Sequence, residues 1–455
     1  MRYYVIGITD SPTPYFLPEV LALIRQGKVF SGGKRHHDIV GPQLPADAPW
    51  IDITVPLSHV FEQYSAHFTT HNSQPIIVFA SGDPLFFGFA NTLQRRFPEA
   101  EITVYPTFNS LQMLAHRLVM PYHDMRIVSL TGRPWPEFDK ALIERVGKIG
   151  VLTDKEHTPA AIAQRMIDYG YNDYQMNVGE HLGNPELETV TTLTLEEAVN
   201  REFKHPNCLI LARITRINTA LDANANHKGS VLDRGCVNPC LKHILHHEKR
   251  PFGIPDSDFT LLDGREKMIT KMPIRLLTLQ ALELRQKTVF WDIGFCTGSV
   301  SIEARLQFPH LQICAFEIRP ECEAIIQENA RRFGAPGIDV HIGDFLETDL
   351  SALPCPDTVF IGGHGGHLKE IMAKVLTVLS DQGCIVMNSV KAPLVKTDSH
   401  QLWDEACQEL ALKQAPPTRI VLDEYHPIKI LKCKKKQLYK SARLAVRSPR
   451  RSKGN

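Results

Sequence analysis

The stretch Val289–Val300, VFWDIGFCTGSV, carries an apolar run into Asp292, turns between Gly294 and Gly298, and starts a helix at once. A strand, tight turn and helix in that order gather backbone N–H groups at the positive end of a helix dipole, where an anionic group is favoured. Gly294 and Gly298 lack the Cβ that would hinder the turn and the close approach of a ligand. Working outward, the next apolar run, QICAFE, closes on Glu317, and the one after it, DVHIGD, closes on Asp344. Helices are predicted at Ser299–Gln307, Pro320–Phe333 and Leu368–Leu379, with strands near Ile313, Val340, Val359 and Ile385. From Asp258 onward the chain therefore reads as a doubly wound, Rossmann-like α/β domain.

The acidic positions narrow the ligand. An acid about twenty residues beyond such a turn can accept both hydroxyl hydrogens of a ribose, which is the place of Glu317, and Asp344 follows where adenine would lie. NAD is disfavoured because the turn is not GxGxxG: Cys296 and Thr297 stand where a close-approach glycine is wanted. The ordered set Asp292, Gly294, Gly298, Glu317 and Asp344 predicts an S-adenosyl-L-methionine pocket. Cys296, with no companion base in view, reads as a small packing residue rather than a nucleophile.

A chain of 455 residues is too long for one ordinary domain and suggests roughly three folded units. Its net charge of +1 gives no global field towards nucleic acid or membrane, so neither is expected as a partner. Cysteines lack a regular framework, no signal peptide precedes the first strand, and no apolar run approaches the roughly 18–20 residues of a membrane span. A reducing cytoplasm is the simplest reading. From Lys432 the sequence KCKKKQLYKSARLAVRSPRRSKGN reads as a solvated basic tail.

Residues 1–212 alternate strands and helices. Strands are predicted at Tyr3–Gly7, Gln74–Ala80, Ile102–Tyr105 and Met125–Leu130, with helices at Pro18–Gln26, Phe89–Phe97 and Ser110–Val119. A second half is placed from near Lys148, where IGVLTD, TPAAIAQRMIDYG, QMNVGE and NCLILA follow one another. Two small α/β lobes with a cleft between them are expected. Residues 213–257 read as a linker with an insertion, 258–431 as the Rossmann-like domain and 432–455 as the tail.

Motifs then add a resemblance. ITK at Ile269–Lys271, WDIGFCTGSVSIE at Trp291–Glu303 and IGGHGG at Ile361–Gly366 resemble the decarboxylating methyltransferase domain that acts on carbon 15 of precorrins in cobalamin synthesis. That resemblance implies cofactor contacts at Thr270, along the turn through Gly294, Phe295, Cys296, Thr297 and Gly298, and at Glu317, Gly343 and Asp344. VIGITDSPTPYFLPEVLALI, VFSGGKRH, SGDPLFFG, SLTGRPW and GEHLGNPELET resemble the tetrapyrrole methyltransferase class, in particular enzymes methylating carbon 5 of precorrin-7. It implies a second cofactor site at Gly82, Asp83 and Leu85, with Ser110 nearby. Where that class often has a glycine-rich first loop, Gly7 is followed here by Ile8-Thr9-Asp10-Ser11-Pro12. The two parts together are similar to the fused precorrin-6Y methyltransferase family, which implies a homo-oligomer and removal of the carboxyl group of the acetate on carbon 12.

A ring with many carboxylates calls for Arg, Lys and His as charge-assisted donors. Arg133 in the first domain and Lys271, Arg275, His364 and His367 in the second are the candidates, with no catalytic acid or base assigned. Two other readings compete: a nucleic-acid methyltransferase, suggested by the cofactor domain and basic tail, and a non-catalytic tetrapyrrole-binding protein. The cluster Cys236, Cys240, His243, His246 and His247 lacks paired CxxC knuckles and has Pro239 within it, so no metal is expected there.

Overall fold

The computed structural model describes residues 1–70, 74–214, 252–390, 399–421 and 428–434. The chain divides into two compact units, Met1–His246 and His247–Asn455. Residues 236–247, the cysteine and histidine cluster, lie outside the described part.

The first unit holds two sheets. Strands β1 (Arg2–Ile8), β2 (Val29–Gly32), β3 (Trp50–Asp52), β4 (Ile76–Ser81) and β5 (Glu101–Tyr105) form a parallel sheet in the order β3-β2-β4-β1-β5. Its central strands are apolar on both faces, as a covered parallel sheet requires. Val5, Ile76 and Val78 pack against Val60, Tyr64 and Phe68 of the helix Leu57–Thr70. The alternate residues Ile6, Ile77 and Phe79 pack against Val20 and Ile24 of the helix Pro18–Gln26.

The second sheet contains β6 (Arg126–Ser129), β7 (Lys148–Leu152), β8 (Tyr174–Glu180), β9 (Thr189–Leu193) and β10 (Asn207–Arg213) in the order β6-β7-β10-β8-β9. Only β6 and β7 run parallel; the other pairs are antiparallel. The second lobe thus begins before Lys148. The run Met125–Leu130, assigned by sequence to the first half, pairs through Arg126 to Ser129 with Ile149 to Leu152. The helix Ser110–Arg117 also packs on this lobe, with Leu111 and Leu114 against Cys208 and Ile210.

The second unit has β11 (Val289–Ile293), β12 (Gln312–Glu317), β13 (Ile338–Ile342), β14 (Thr358–Ile361), β15 (Cys384–Val390), β16 (Lys413–Gln414), β17 (Thr418–Ile420) and β18 (Ile428–Lys434). The order is β13-β12-β11-β14-β15-β18-β16, with β17 also on β18. The first five are parallel, and β18 runs antiparallel to β15. The strand order reverses between β11 and β14, so their carboxyl ends form a switch point open to a ligand.

Both ends of this unit differ from the sequence reading. Lys432–Lys434, counted in the basic tail, belong to β18, where Lys432 and Lys434 bond Glu283. Residues 253 and 254, counted in the linker, are tied to the unit: the N–H groups of Gly253 and Ile254 donate to Glu303, and Ile254 is buried. Among the described residues, no helix is long and apolar enough to cross a membrane.

Candidate functional site

Each unit has a cavity at the carboxyl ends of its parallel strands. In the second, the turn after β11 is held by the Gly294 N–H, which donates to the Phe316 carbonyl at 2.7 Å. Gly294 has φ +78°, and a Cβ there would lie 2.6 Å from the backbone nitrogen of Gly363. Cys296, at the point where sequence found no glycine, adopts φ +49°. That left-handed conformation costs an ordinary residue about 1–2 kcal/mol. The Cys296 side chain packs with Leu262, Phe295, Cys322 and Ile326, and burial raises its thiol pKa, as suits a packing residue.

Glu317, only 3% exposed, ends β12 beneath the turn. Its Oε2 accepts the Cys296 N–H at 3.0 Å, and its Oε1 accepts the N–H groups of Ile318 and Arg319 at 3.0 and 3.2 Å. The Arg319 guanidinium lies across the same carboxylate, with Nε donating to Oε1 at 2.9 Å and Nη2 to Oε2 at 3.1 Å. Arg319 went unnoticed in the sequence.

Asp292 is buried behind the turn. Its Oδ2 accepts the Ser301 hydroxyl at 2.6 Å, while among the described residues Oδ1 has no hydrogen-bond partner, and neither does the buried Thr297 hydroxyl. Burial, with the Glu317 charge adding to it against the Ser301 bond, pushes the Asp292 pKa up to about 7. The folded protein therefore keeps this proton between about pH 4 and 7, where an unfolded aspartate releases it. Stability contributed by the group is full below the unfolded value and is lost as pH rises to 7. Asp292→Asn imitates the protonated form, so the wild-type Tm should fall more between pH 5 and pH 8 than the variant's. Equal slopes in calorimetry would show that Asp292 ionises normally.

A cavity of about 420 Å³ opens in front of these groups. Of the predicted residues, Gly294, Glu317, Gly343, Asp344, His364 and His367 line it. A Cβ on Gly343 or Gly363 would meet no atom within 4 Å, so these two glycines keep the space open. Phe316, Arg319 and Phe345 also line it. Asp344 spends one oxygen on the Leu346 N–H. Phe295, Cys296, Thr297 and Gly298 shape the turn, and Thr270 lies before the helix Met272–Ala281, but none of these five lines the cavity.

The predicted anchoring cations divide. Arg275 is a correction: it is fully buried, and its guanidinium bonds Glu303, Asp256, and the carbonyls of Thr270 and Ile254. It neutralises the buried Glu303 instead of facing a ligand, and breaking such a pair typically costs about 3–5 kcal/mol. Lys271 lies 3.8 Å from Asp256 and does not line the cavity. His364 does, and burial followed by the nearby His367 lowers its pKa. The His364 Nδ1 accepts the Gly366 N–H at 3.2 Å, so its neutral ring carries the proton on Nε2.

In the first unit a cavity of about 480 Å³ is lined from both sheets, by Ile8, Ser81 and Gly82 on one side and by Thr153, Gly179 and Cys208 on the other. Gly7 and Gly82 let two strand ends meet: a Cβ on Gly7 would sit 2.0 Å from the Gly82 oxygen. Gly82 itself has φ +61° against the Asn109 backbone. Gly82 and Ser110 line the cavity as predicted. Ser110 opens a helix capped by Asn109, whose side chain accepts the Gln112 N–H at 2.9 Å. Asp83 instead braces the turn by accepting the Leu85 N–H. Leu85 and Arg133 line an adjacent groove, where the Arg133 guanidinium stands 5.2 Å from the Phe87 ring centre.

Sequence reasoning missed Asp10, Arg35, His36 and Ser81, which line this first cavity together. The available signal was the run GKRH directly after the strand VFSG. Among the described residues, Cys314, Asp339 and His341 bring donor atoms within 4.8 Å of one another. Burial pushes the Cys314 thiol up to about 12, so it stays protonated, and His341 already bonds Asp339 at 3.0 Å.

Comparison with known proteins agrees with this two-part layout. Residues 5–199 match the Tetrapyrrole (Corrin/Porphyrin) Methylases family, and residues 263–415 match the Precorrin methyltransferase domain. The chain is 30% identical to a Precorrin-6Y C(5,15)-methyltransferase [decarboxylating] of Sinorhizobium sp, over 91% of each chain. It is 33% identical to a Cobalt-precorrin-6B C(15)-methyltransferase (decarboxylating) of Salmonella typhi, over 40% of this chain and 96% of that one. It is 27% identical to a Cobalt-precorrin-7 C(5)-methyltransferase of Salmonella typhimurium, over 46% of this chain and 97% of that one.

Proposed function

We propose, because this chain belongs to the decarboxylating precorrin-6Y C(5,15)-methyltransferase family, that each of its two units performs one of that family's two methylations, in cobalamin biosynthesis. The first unit methylates carbon 5 of the tetrapyrrole. The second methylates carbon 15 and releases the carboxyl group of the acetate on carbon 12. The observation that carries this reading is the pair of separate cavities at the carboxyl ends of parallel strands, the second lined within residues 263–415 and the first mostly within residues 5–199, each a different family match.

The residues of the second cavity fit S-adenosyl-L-methionine. Glycines 343 and 363 leave room for it, and Glu317 brings a carboxylate to the cavity wall directly beside the turn. When bound, the cofactor supplies a methyl group activated by a sulfonium. Ribose hydroxyls compete with Arg319 for Glu317, since five N–H groups already point at that carboxylate. Asp344 has one oxygen left beyond its turn bond, and His364 offers Nε2–H to a ring carboxylate. In the first unit, Gly82 and Ser110 form the corresponding wall, with Arg133 at the adjacent groove.

No protein nucleophile is required, because an electron-rich ring carbon attacks the methyl directly. The protein's work is alignment, which in favourable intramolecular reactions is worth about 7–11 kcal/mol. Loss of carbon dioxide pushes an electron pair into the macrocycle, which serves as its own sink. The protein is proposed to act in the cytoplasm, as a homo-oligomer.

Mass spectrometry of the tetrapyrrole product tests the reading. The purified protein is incubated anaerobically with S-adenosylmethionine and precorrin-6B or cobalt-precorrin-6B. Two added methyl groups and one lost carbon dioxide are expected. An unchanged mass for both rings, with cofactor bound, would overturn it.

A further inference from the structure

The carboxyl ends of β1, β2 and β4 bring Asp10, Arg35, His36 and Ser81 to one wall of the first cavity. Ser81 is their common point. Arg35 Nη2 donates to its Oγ at 2.9 Å, and His36 Nε2 lies 2.9 Å from the same oxygen. The His36 tautomer follows from its other nitrogen: Nδ1 accepts the Gly33 N–H at 3.2 Å, so the ring proton sits on Nε2 and is donated to Ser81. Burial first and the Arg35 charge second keep this ring neutral.

A serine hydroxyl has two acceptor lone pairs and one hydrogen. Both lone pairs of Ser81 are taken, one of them by a cationic donor, and its residue is exposed on the cavity wall. Among the described residues no acceptor takes the hydroxyl hydrogen, which is left for the cavity side, and withdrawal of electron density by two donors makes it a stronger donor. Arg35 is fixed in turn by an ion pair to Asp10. The second Asp10 oxygen accepts His181 Nδ1–H at 2.8 Å, so the first sheet's node is braced from the lobe of the second sheet. The Asp10 charge is spent on these two contacts, and the wall facing the cavity offers donors.

We propose that Ser81, polarised by Arg35 and His36, is a carboxylate-binding subsite of the first cavity, and that its ligand is an acetate or propionate arm of the tetrapyrrole. This rests on the methyltransferase reading above and names the group that would orient the ring for methylation at carbon 5. The methionine carboxylate of the cofactor shares the same chemistry, so the test separates the two sources.

Equilibrium dissociation constants for S-adenosylmethionine and for cobalt-precorrin-7 are measured separately, under anaerobic conditions, on the full chain, for wild type, Ser81→Ala and Ser81→Thr. A hydrogen bond to a charged group is worth about 1.5–3 kcal/mol, or roughly 10- to 100-fold in affinity. Ser81→Ala should weaken cobalt-precorrin-7 by at least about tenfold and leave the cofactor constant unchanged in a protein that still folds, with a Tm lowered by the loss of the acceptor for Arg35 and His36. Ser81→Thr, which keeps the hydroxyl, should restore most of the loss. Weakening of the cofactor alone would keep the carboxylate subsite but assign it to the methionine end, overturning the tetrapyrrole assignment. Unchanged constants for both ligands in a folded Ser81→Ala protein would overturn the subsite. A wild type that binds neither ligand would instead count against the methyltransferase reading.

Discussion

Gly7→Ala is expected to abolish methylation at carbon 5 while leaving the chemistry at carbon 15 in place. The added Cβ would lie 2.0 Å from the Gly82 oxygen and 2.9 Å from the Thr107 nitrogen. Both obstacles are main chain, so no side-chain rotation relieves the overlap. Overpacking costs typically about 1–3 kcal/mol even where neighbours can adjust, and here β1 and the turn after β4 would have to part. That separation also breaks the Gly82 N–H to Ile8 carbonyl bond of 2.7 Å and displaces Ser81 at the cavity wall. The second unit has its own apolar core around Trp291, Val359 and Ile385 and should keep its fold. Product analysis should therefore find the carbon-15 methyl without the carbon-5 methyl. Carbon-5 activity near the wild-type level would mean that this strand crossing does not shape the site.

The mirror-image effect belongs to Glu317→Ala, which should remove carbon-15 methylation and decarboxylation and spare carbon 5. Two charge-assisted hydrogen bonds to ribose hydroxyls, at about 1.5–3 kcal/mol each, correspond to a loss on the order of 10²–10⁴-fold. Titration with S-adenosylmethionine should fall from two sites per chain to one. Alanine also strands the Cys296 N–H, which now donates to Glu317, so Glu317→Gln is the companion variant. It keeps an acceptor at that position but loses the charge, and should retain more stability than alanine with a similar affinity defect. Equal loss at both ring carbons would refute independent sites.

These two residues were legible at different depths. The helices Pro18–Gln26 and Ser299–Gln307 were read to the residue, because local apolar spacing and the flanking turns mark their limits. Glu317 was legible for the same reason, as the polar end of an apolar run. Arg275 was not: its sequence neighbourhood suggests a free cation beside a ligand motif, and nothing local reveals Glu303, 28 positions away, as its buried partner. Lys432 and Lys434 misled similarly. Ile430, Leu431 and Cys433 are buried on the same strand, but the run of lysines hid its apolar side. The mixed pairing of the second lobe was also out of reach, since the antiparallel partnership of β8 and β10 joins segments whose individual periodicity resembles that of parallel strands. Ser81 illustrates the deepest limit. Its role depends on which lone pairs are already filled, and that is a property of three chain segments meeting.

The Arg319 clasp on Glu317 has a kinetic implication. On the proposed binding mode, a guanidinium that has to leave before ribose binds would weaken every nucleoside ligand by the same factor, because the fresh methyl donor and the demethylated nucleoside carry the same sugar. Such a uniform penalty does not alter the barrier within the bound complex. On that binding mode Arg319 acts on turnover through ligand exchange and leaves the methyl-transfer step itself untouched.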